Sequence, residues 1–389
     1  MNKPLEDLVV LDLSRYLLGG FVTQYFADFG ARVIKIEDTK TGDFTRQEPP
    51  MMNGESHYHY AMDRNKESVS FNLKDPEILE VFYSMVKDAD IVVENYRPGV
   101  TKRLCIDYDT LSKINPGIIY CSFSAYGQND PRSQTPLHDI NIVAETGYYD
   151  LNKGNVPVIP QCDFAAAMVG LQSILTTLYT REKTGKGTYI DTSMMDSIIW
   201  WHSIVNSRWF FFGKELTDQT VEYPCVGYNI YRTKDNRMLA FGFYEFNFWN
   251  DFCVDAGVPE LQDKLKATEQ QDPGTYNAVR DLVASRTFDE WKEWLSTRNH
   301  CIAPVLTKTE AIDKSCIEQP NMIGYNRFPR FGEVLQVNSP HNLGFFAPKL
   351  EEATEPPLLG ESTRSVLEQY GMAPDAIKRH IEDGTVRCL

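Results

Sequence analysis

The sequence predicts an α/β fold, a large parallel-sheet domain with a smaller α+β domain, and three observations carry that prediction. Short apolar runs alternate with helix-periodic stretches through the first half of the chain, the pattern of βαβ units. The texture changes from about residue 222, where a hairpin pattern begins. The 389 residues, 42% of them hydrophobic, suffice for two domains and a well-buried core.

The opening, LEDLVVLDLSRYLLGGFVTQYFADFGARVIKIED, reads as strand, loop, helix and strand. Val9–Leu13 is a short apolar strand, and Gly19–Gly20 breaks the chain before the helix. FVTQYFADF sets Phe21, Tyr25, Phe26 and Phe29 at helical spacing, Gly30 ends the helix, and RVIKIE returns as a strand. Such units build parallel sheets with right-handed crossovers. GxGxxG is absent, so a dinucleotide cofactor is unsupported.

A second such unit follows. ESVSFNL, DIVVENY and GIIYCSFSAYG read as strands, with DPEILEVFYSMVKDA and YDTLSKIN as the helices between them. NYRPG, Asn95 to Gly99, falls where a strand gives way to its loop, and it reads equally as a surface turn or as a ligand loop. Residues 164–183 form a long helix, rich in small residues at its start and stopped by Gly185 and Gly187. The aromatic run WWHSIVNSRWFFFG reads as core or subunit contact. GYNIYRTKDNRMLAFGF is a hairpin turning at Lys234-Asp235-Asn236, and CIAPVL is a strand leading into a helix. The expected domains are 1–221 and 222–325, with 326–389 as a C-terminal segment.

A net charge of −15 argues against broad nucleic-acid or anionic-membrane binding, while leaving room for a local basic pocket. No apolar run approaches the ~20 residues of a spanning helix, and MNKPLEDLVV lacks a signal peptide's apolar core. Eight cysteines show neither CxxC nor Cys/His metal spacing, which fits reduced thiols in a cytoplasmic protein without a metal. Motifs for a serine elbow, a Walker loop or an HExxH helix are also absent.

Three ionisable positions remain. Asp163, between an apolar segment and a small-residue helix, reads either as the helix N-cap or as a carboxylate that Ala165, Ala166 and Ala167 leave open to a ligand. In the second reading the helix N-terminus favours its ionised form, as suits a nucleophile or base. His138-Asp139 reads as a solvated loop pair or as general acid–base equipment. Glu245, flanked by Phe243, Tyr244, Phe246, Phe248 and Trp249, is either desolvated, with a raised carboxyl pKa, or turned outward by alternation.

Together these stretches resemble the CaiB/BaiF family, the class III CoA-transferases and α-methylacyl-CoA racemases. The resemblance runs through LEDLVVLDLSRYLLGG, GDFTR, NKESVSFNLK, ADIVVENYRPGV, REKTGKGTYIDTSMMD, CIAPVL and LLGESTRSVLEQYGM. It implies a Rossmann-like large domain completed by the C-terminal segment, a small domain between, and an interlocked ring-like homodimer. Coenzyme A enters as part of the substrate, with no permanently bound cofactor. Asn72, Leu73, Lys74, Asn95, Tyr96, Arg97 and Arg103 match the region that holds its nucleotide.

Asp163 falls at the family's catalytic aspartate. In the transferases this carboxylate passes through a mixed anhydride and an aspartyl-CoA thioester. The racemase branch is similar at HDIN, at DFA, and at YRTKD with its downstream Gly242, Glu245 and Phe248, which makes His138, Asp163 and Glu245 its catalytic set. There one group removes the proton next to the thioester and another returns a proton from the far face. Glu245 orients His138, and backbone N–H groups of the helix at Asp163 hold the enolate oxygen. Only a two-base epimerase requires a histidine at 138, which favours racemisation of 2-methylacyl-CoA over CoA transfer.

Overall fold

The computed structural model describes residues 3–212 and 224–389. The chain divides into two compact units, Met1–His202 with Ser315–Leu389, and Ser203–Lys314. The expected boundary between residues 221 and 222 lies outside the described residues, as does Gly213 of the aromatic run.

The first unit is built on six parallel strands: β1 (Val9–Asp12), β2 (Arg32–Glu37), β3 (Lys66–Phe71), β4 (Ile91–Glu94), β5 (Ile119–Ser124) and β6 (Thr188–Ser193). Their spatial order is β3-β2-β1-β4-β5-β6, the doubly wound arrangement. A short C-terminal strand, Val386–Arg387, adds to β3 antiparallel with Val386 opposite Phe71, so the chain's end completes the sheet.

The middle of this sheet is covered on both faces, which is why its central strands β1 and β4 read as apolar runs. Alternation divides each strand between two cores. Val10, Val33, Ile91 and Val93 pack with Phe26 and Leu171 on one side. Leu11, Ile34 and Val92 pack with Ile78, Phe82 and Val366 on the other. Side chains of this size contribute about 1.5–3 kcal/mol each when fully buried.

Three helices position the site: α1 (Tyr16–Asp28), α2 (Asp139–Glu145) and α3 (Gln161–Thr184). The expected break at Gly19–Gly20 does not occur, because both glycines lie inside α1. A Cβ on Gly19 would stand 2.1 Å from Ser14 Cβ, so the absent side chain lets the helix close onto the loop after β1. Gly185 ends α3 in the left-handed conformation (φ 69°) and gives its N–H to Arg181 O at 2.7 Å, as expected from sequence.

At 24 residues, α3 is also long and apolar enough to cross a membrane, contrary to the expectation that no such run exists. Its inner face, Ala165, Ala166, Ala167 and Gly170, is buried, and a Cβ on Gly170 would stand 2.2 Å from Phe123 Cζ. It is therefore a sheet-covering helix.

The second unit holds a three-stranded antiparallel sheet of β7 (Tyr228–Arg232), β8 (Met238–Gly242) and β9 (Ile302–Pro304), with β8 in the middle. The hairpin turns where expected, with Asn236 at φ 62°. Its core contains Phe243, Trp249, Phe252 and Trp291. Both indoles are satisfied, Trp249 Nε1–H by Leu261 O and Trp291 Nε1–H by Val283 O, each at 2.9 Å. Trp200, Trp201, Trp209, Phe210 and Phe211 are exposed, so the aromatic run does not join a core.

Gly19→Ala should destabilise the protein by about 1–3 kcal/mol through overpacking against Ser14. A urea midpoint unchanged from wild type would contradict the close packing assigned to Gly19.

Candidate active site

In the doubly wound arrangement the order of the parallel strands reverses between β1 and β4, and the loops leaving those two strands diverge to leave a crevice. Asn95, just after β4, fastens them together. It accepts the Arg15 N–H on Oδ1 at 2.8 Å and donates Nδ2 to Arg15 O at 2.7 Å. The Arg15 guanidinium lies over the rings of Phe44 and Tyr96, 5.2 Å from each centroid.

Beneath this loop lies a buried ionic cluster. Asp43 accepts the N–H groups of Tyr16 (3.1 Å) and Thr45 (3.0 Å), and Lys35 Nζ reaches its other oxygen at 2.9 Å. Burial opposes the charge on Asp43, but Lys35 and these N–H donors outweigh it and hold its carboxyl below the usual range. Arg46 grips Glu37 through two hydrogen bonds, of 2.6 and 2.8 Å. Tyr16 sits at φ 62°, in the left-handed region that side chains other than glycine rarely adopt.

Two cavities open on this frame, of about 560 Å³ and 890 Å³, and both are lined by Tyr16, Asn95, Tyr96, Arg97 and His138. The larger brings together all seven positions expected to hold the nucleotide: Asn72, Leu73, Lys74, Asn95, Tyr96, Arg97 and Arg103. Lys74, Arg97 and Arg103 are exposed and form no ion pair among the described residues, so the cavity is locally cationic on a chain of net charge −15. Three of the seven have structural duties. Leu73 is buried in the core, Asn72 Oδ1 accepts the Lys74 N–H at 3.2 Å, and the Asn95 amide is occupied by Arg15. Sequence reasoning missed Arg15, although its place just beyond β1 was the available signal.

The smaller cavity holds both His138 and Asp163. His138 is the N-cap residue of α2, exposed, its N–H given to Asn141 Oδ1 at 3.2 Å and its ring edge-on to Tyr16 with centroids 6.2 Å apart. Asp139, missed as a functional position, reaches from α2 to the start of α3. Its Oδ1 accepts the N–H groups of Cys162 (2.5 Å) and Asp163 (3.2 Å).

Asp163 is therefore not the N-cap. Pro160 holds that position, and Asp163 lies in the first turn. Its carboxyl is pushed up to about 7, first by burial and then by the Asp139 charge. The expectation that the helix end favours its ionised form is overturned, because the amides that would do so already serve Asp139. The same occupancy removes those N–H groups as donors to an enolate, and the Phe164 N–H goes to Pro160 O at 3.4 Å.

Glu245 belongs to the second unit. It occupies the N-cap position of the helix Phe246–Asp255 without a side-chain capping bond, and it is exposed, as are Tyr244, Phe246 and Phe248. Phe243 and Trp249 go to the core, while residues 244–248 are all exposed, so the carboxylate stands in solvent at the start of the helix and the burial reading does not hold. Among the described residues, no three His, Cys, Asp or Glu side chains group so as to hold a metal ion.

Asp163 predicts a pH signature. Its folded pKa of about 7 lies above the ordinary carboxyl value, so the protonated acid favours the fold and that contribution is lost as pH rises through about 7. The melting temperature of Asp163→Asn relative to wild type should therefore climb between pH 4 and pH 8, estimated from about 4 as the unfolded pKa. A constant difference would contradict the raised carboxyl.

The CoA-transferase family III model matches residues 5–363. The chain is 30% identical to succinyl-CoA:glutarate CoA-transferase from Mus musculus, over 94% of this chain and 86% of the relative. It is 26% identical to α-methylacyl-CoA racemase from Homo sapiens, over 96% and 95%. In fold it is similar to a CaiB/BaiF family protein from Brucella suis, with a TM-score of 0.83 over 95% of this chain and 100% of that one, at 22% identity. The match across nearly the whole chain establishes it as an enzyme of the CoA-transferase III (CaiB/BaiF) family.

Proposed function

We propose that this enzyme epimerises 2-methylacyl-CoA thioesters by moving a proton at the carbon next to the thioester. The observation that carries the reading is the placement of His138 and Asp163 on one cavity, with the Asp163 carboxyl pushed up to about 7. Proton transfer is most effective between groups tuned near the working pH. One group takes the α-proton to leave an enolate, and the other delivers a proton to the opposite face, which inverts the centre. The phosphates of the thioester lie in the larger cavity against Lys74, Arg97 and Arg103, where guanidinium forks suit them. Glu245 carries no step within either unit. The functional assembly we propose is the interlocked homodimer implied by the family, which would cover apolar surface such as exposed Trp200 and Trp201.

A second reading is favoured by the relative at 30% identity, which is named as a CoA-transferase. Here the ionised Asp163 attacks the thioester carbonyl, and CoA thiolate leaves to give a mixed anhydride. The thiolate then attacks the aspartyl carbonyl, which releases the first acid and leaves an aspartyl-CoA thioester for the acceptor carboxylate. His138 has no required part in that sequence.

Incubating one epimer of a 2-methylacyl-CoA with the enzyme, without and with a free carboxylic acid, separates the readings. We expect conversion to the other epimer without any acid, and loss of that conversion in His138→Ala with CoA binding retained. CoA appearing on the added acid while the epimer stays fixed would establish transfer instead.

A further inference from the structure

Glu48 lines the smaller cavity and not the larger, whereas Lys74, Arg103 and Arg15 line only the larger. The larger cavity also carries Asp38 and Glu37, the latter held by Arg46, so cations still predominate there. The smaller cavity is lined by Leu17, Leu18, Tyr58, Phe123, Leu137 and Met194, with Ser124, Ser133 and Thr135 among them, and among the described residues Arg97, on the loop that faces both, is its one Lys or Arg. Glu48 is exposed and forms no ion pair among the described residues. Its main chain is nonetheless held at both ends, the N–H by Thr45 O (3.2 Å) and the carbonyl by Ser56 Oγ–H (2.6 Å). The turn before it, Phe44–Gln47, is pinned by Asp43 and by the Arg46–Glu37 pair. The main-chain anchors therefore keep the Glu48 side chain at the wall of a largely apolar chamber.

Resting on the acyl-CoA reading above, we propose that the smaller cavity takes acyl groups without charge of their own and rejects those ending in a carboxylate, with Glu48 as the discriminating residue. An acyl group tethered by its thioester near His138 and Asp163 must lay its far end along this chamber. A terminal carboxylate there loses water among apolar walls and meets Glu48 with no second cation to compensate. Branched or straight hydrocarbon ends meet the leucines, Phe123 and Met194 and lose nothing.

The test is equilibrium binding of isobutyryl-CoA and succinyl-CoA to the full chain, with free CoA as reference and no acceptor acid. Wild type should bind isobutyryl-CoA roughly tenfold or more tighter than succinyl-CoA, given the cost of a like-charge contact. Glu48→Gln should bring the two affinities together, chiefly by improving succinyl-CoA. Equal affinities in wild type, or an unchanged ratio in the variant, would overturn the proposal. Because binding needs no turnover, its outcome is separate from whether the enzyme epimerises or transfers.

Discussion

The main chain at Arg15 and Tyr16 is held from two sides, by the Asn95 amide and the Asp43 carboxylate, and the walls of both cavities depend on that grip. A left-handed residue other than glycine costs of order 1–3 kcal/mol. Hydrogen bonds to a charged group contribute about 1.5–3 kcal/mol each, enough for Asp43 to hold Tyr16 in place. Asp43 is in turn held by Lys35, whose ammonium also reaches Ser14 O at 3.2 Å. A buried ion pair adds little net stability, but removing one partner leaves the other charge uncompensated. The cluster is best understood as specifying where the loop after β1 goes. The Tyr16 ring then meets His138 and Phe44, so one conformational constraint reaches His138 and both cavities together.

The second constraint is electrostatic. Two carboxylates meet at the start of α3, and the one from outside the helix takes its free amides. A helix N-terminus stabilises a nearby anion by about 0.3–1 kcal/mol. Asp139 claims that benefit, and Asp163 is left with burial and a neighbouring negative charge, which together place its proton near neutrality. A carboxyl in that state can both give and accept a proton, the property that two-sided proton transfer at carbon requires. The same residue, once ionised, would be a carboxylate nucleophile, so the site's geometry is compatible with either of the two proposed chemistries.

Most of the fold was legible because it rests on local patterns. Val9–Asp12 and Ile91–Glu94 are short apolar runs between helix-periodic stretches, and burial on both faces writes that pattern directly into sequence. What was not legible depended on partners far along the chain. Gly19 reads as a breaker until Ser14 is seen against it. Asp139 reads as the neighbour of His138 until its bond to Cys162, 23 residues away, appears. Asp163 reads either as a cap or as an open carboxylate until Pro160 is seen to provide the cap, since Pro160, Gln161 and Asp163 carry no pattern that separates the N-cap from the first turn. Around Glu245 the aromatic density suggests burial, whereas the strand β8 has ended at Gly242 and Glu245 opens a helix whose first residues are exposed, so only Phe243 and Trp249 reach the core.

The central claim is that His138 and Asp163 act as a pair on one α-carbon. Its most direct test is α-proton exchange in deuterated water, measured by NMR on each pure epimer of a 2-methylacyl-CoA with wild type, His138→Ala and Asp163→Asn. Wild type should exchange and invert both epimers, and each variant should exchange one epimer, a different one in each case, without inverting it. No α-deuterium in either epimer with the wild-type enzyme would contradict the account.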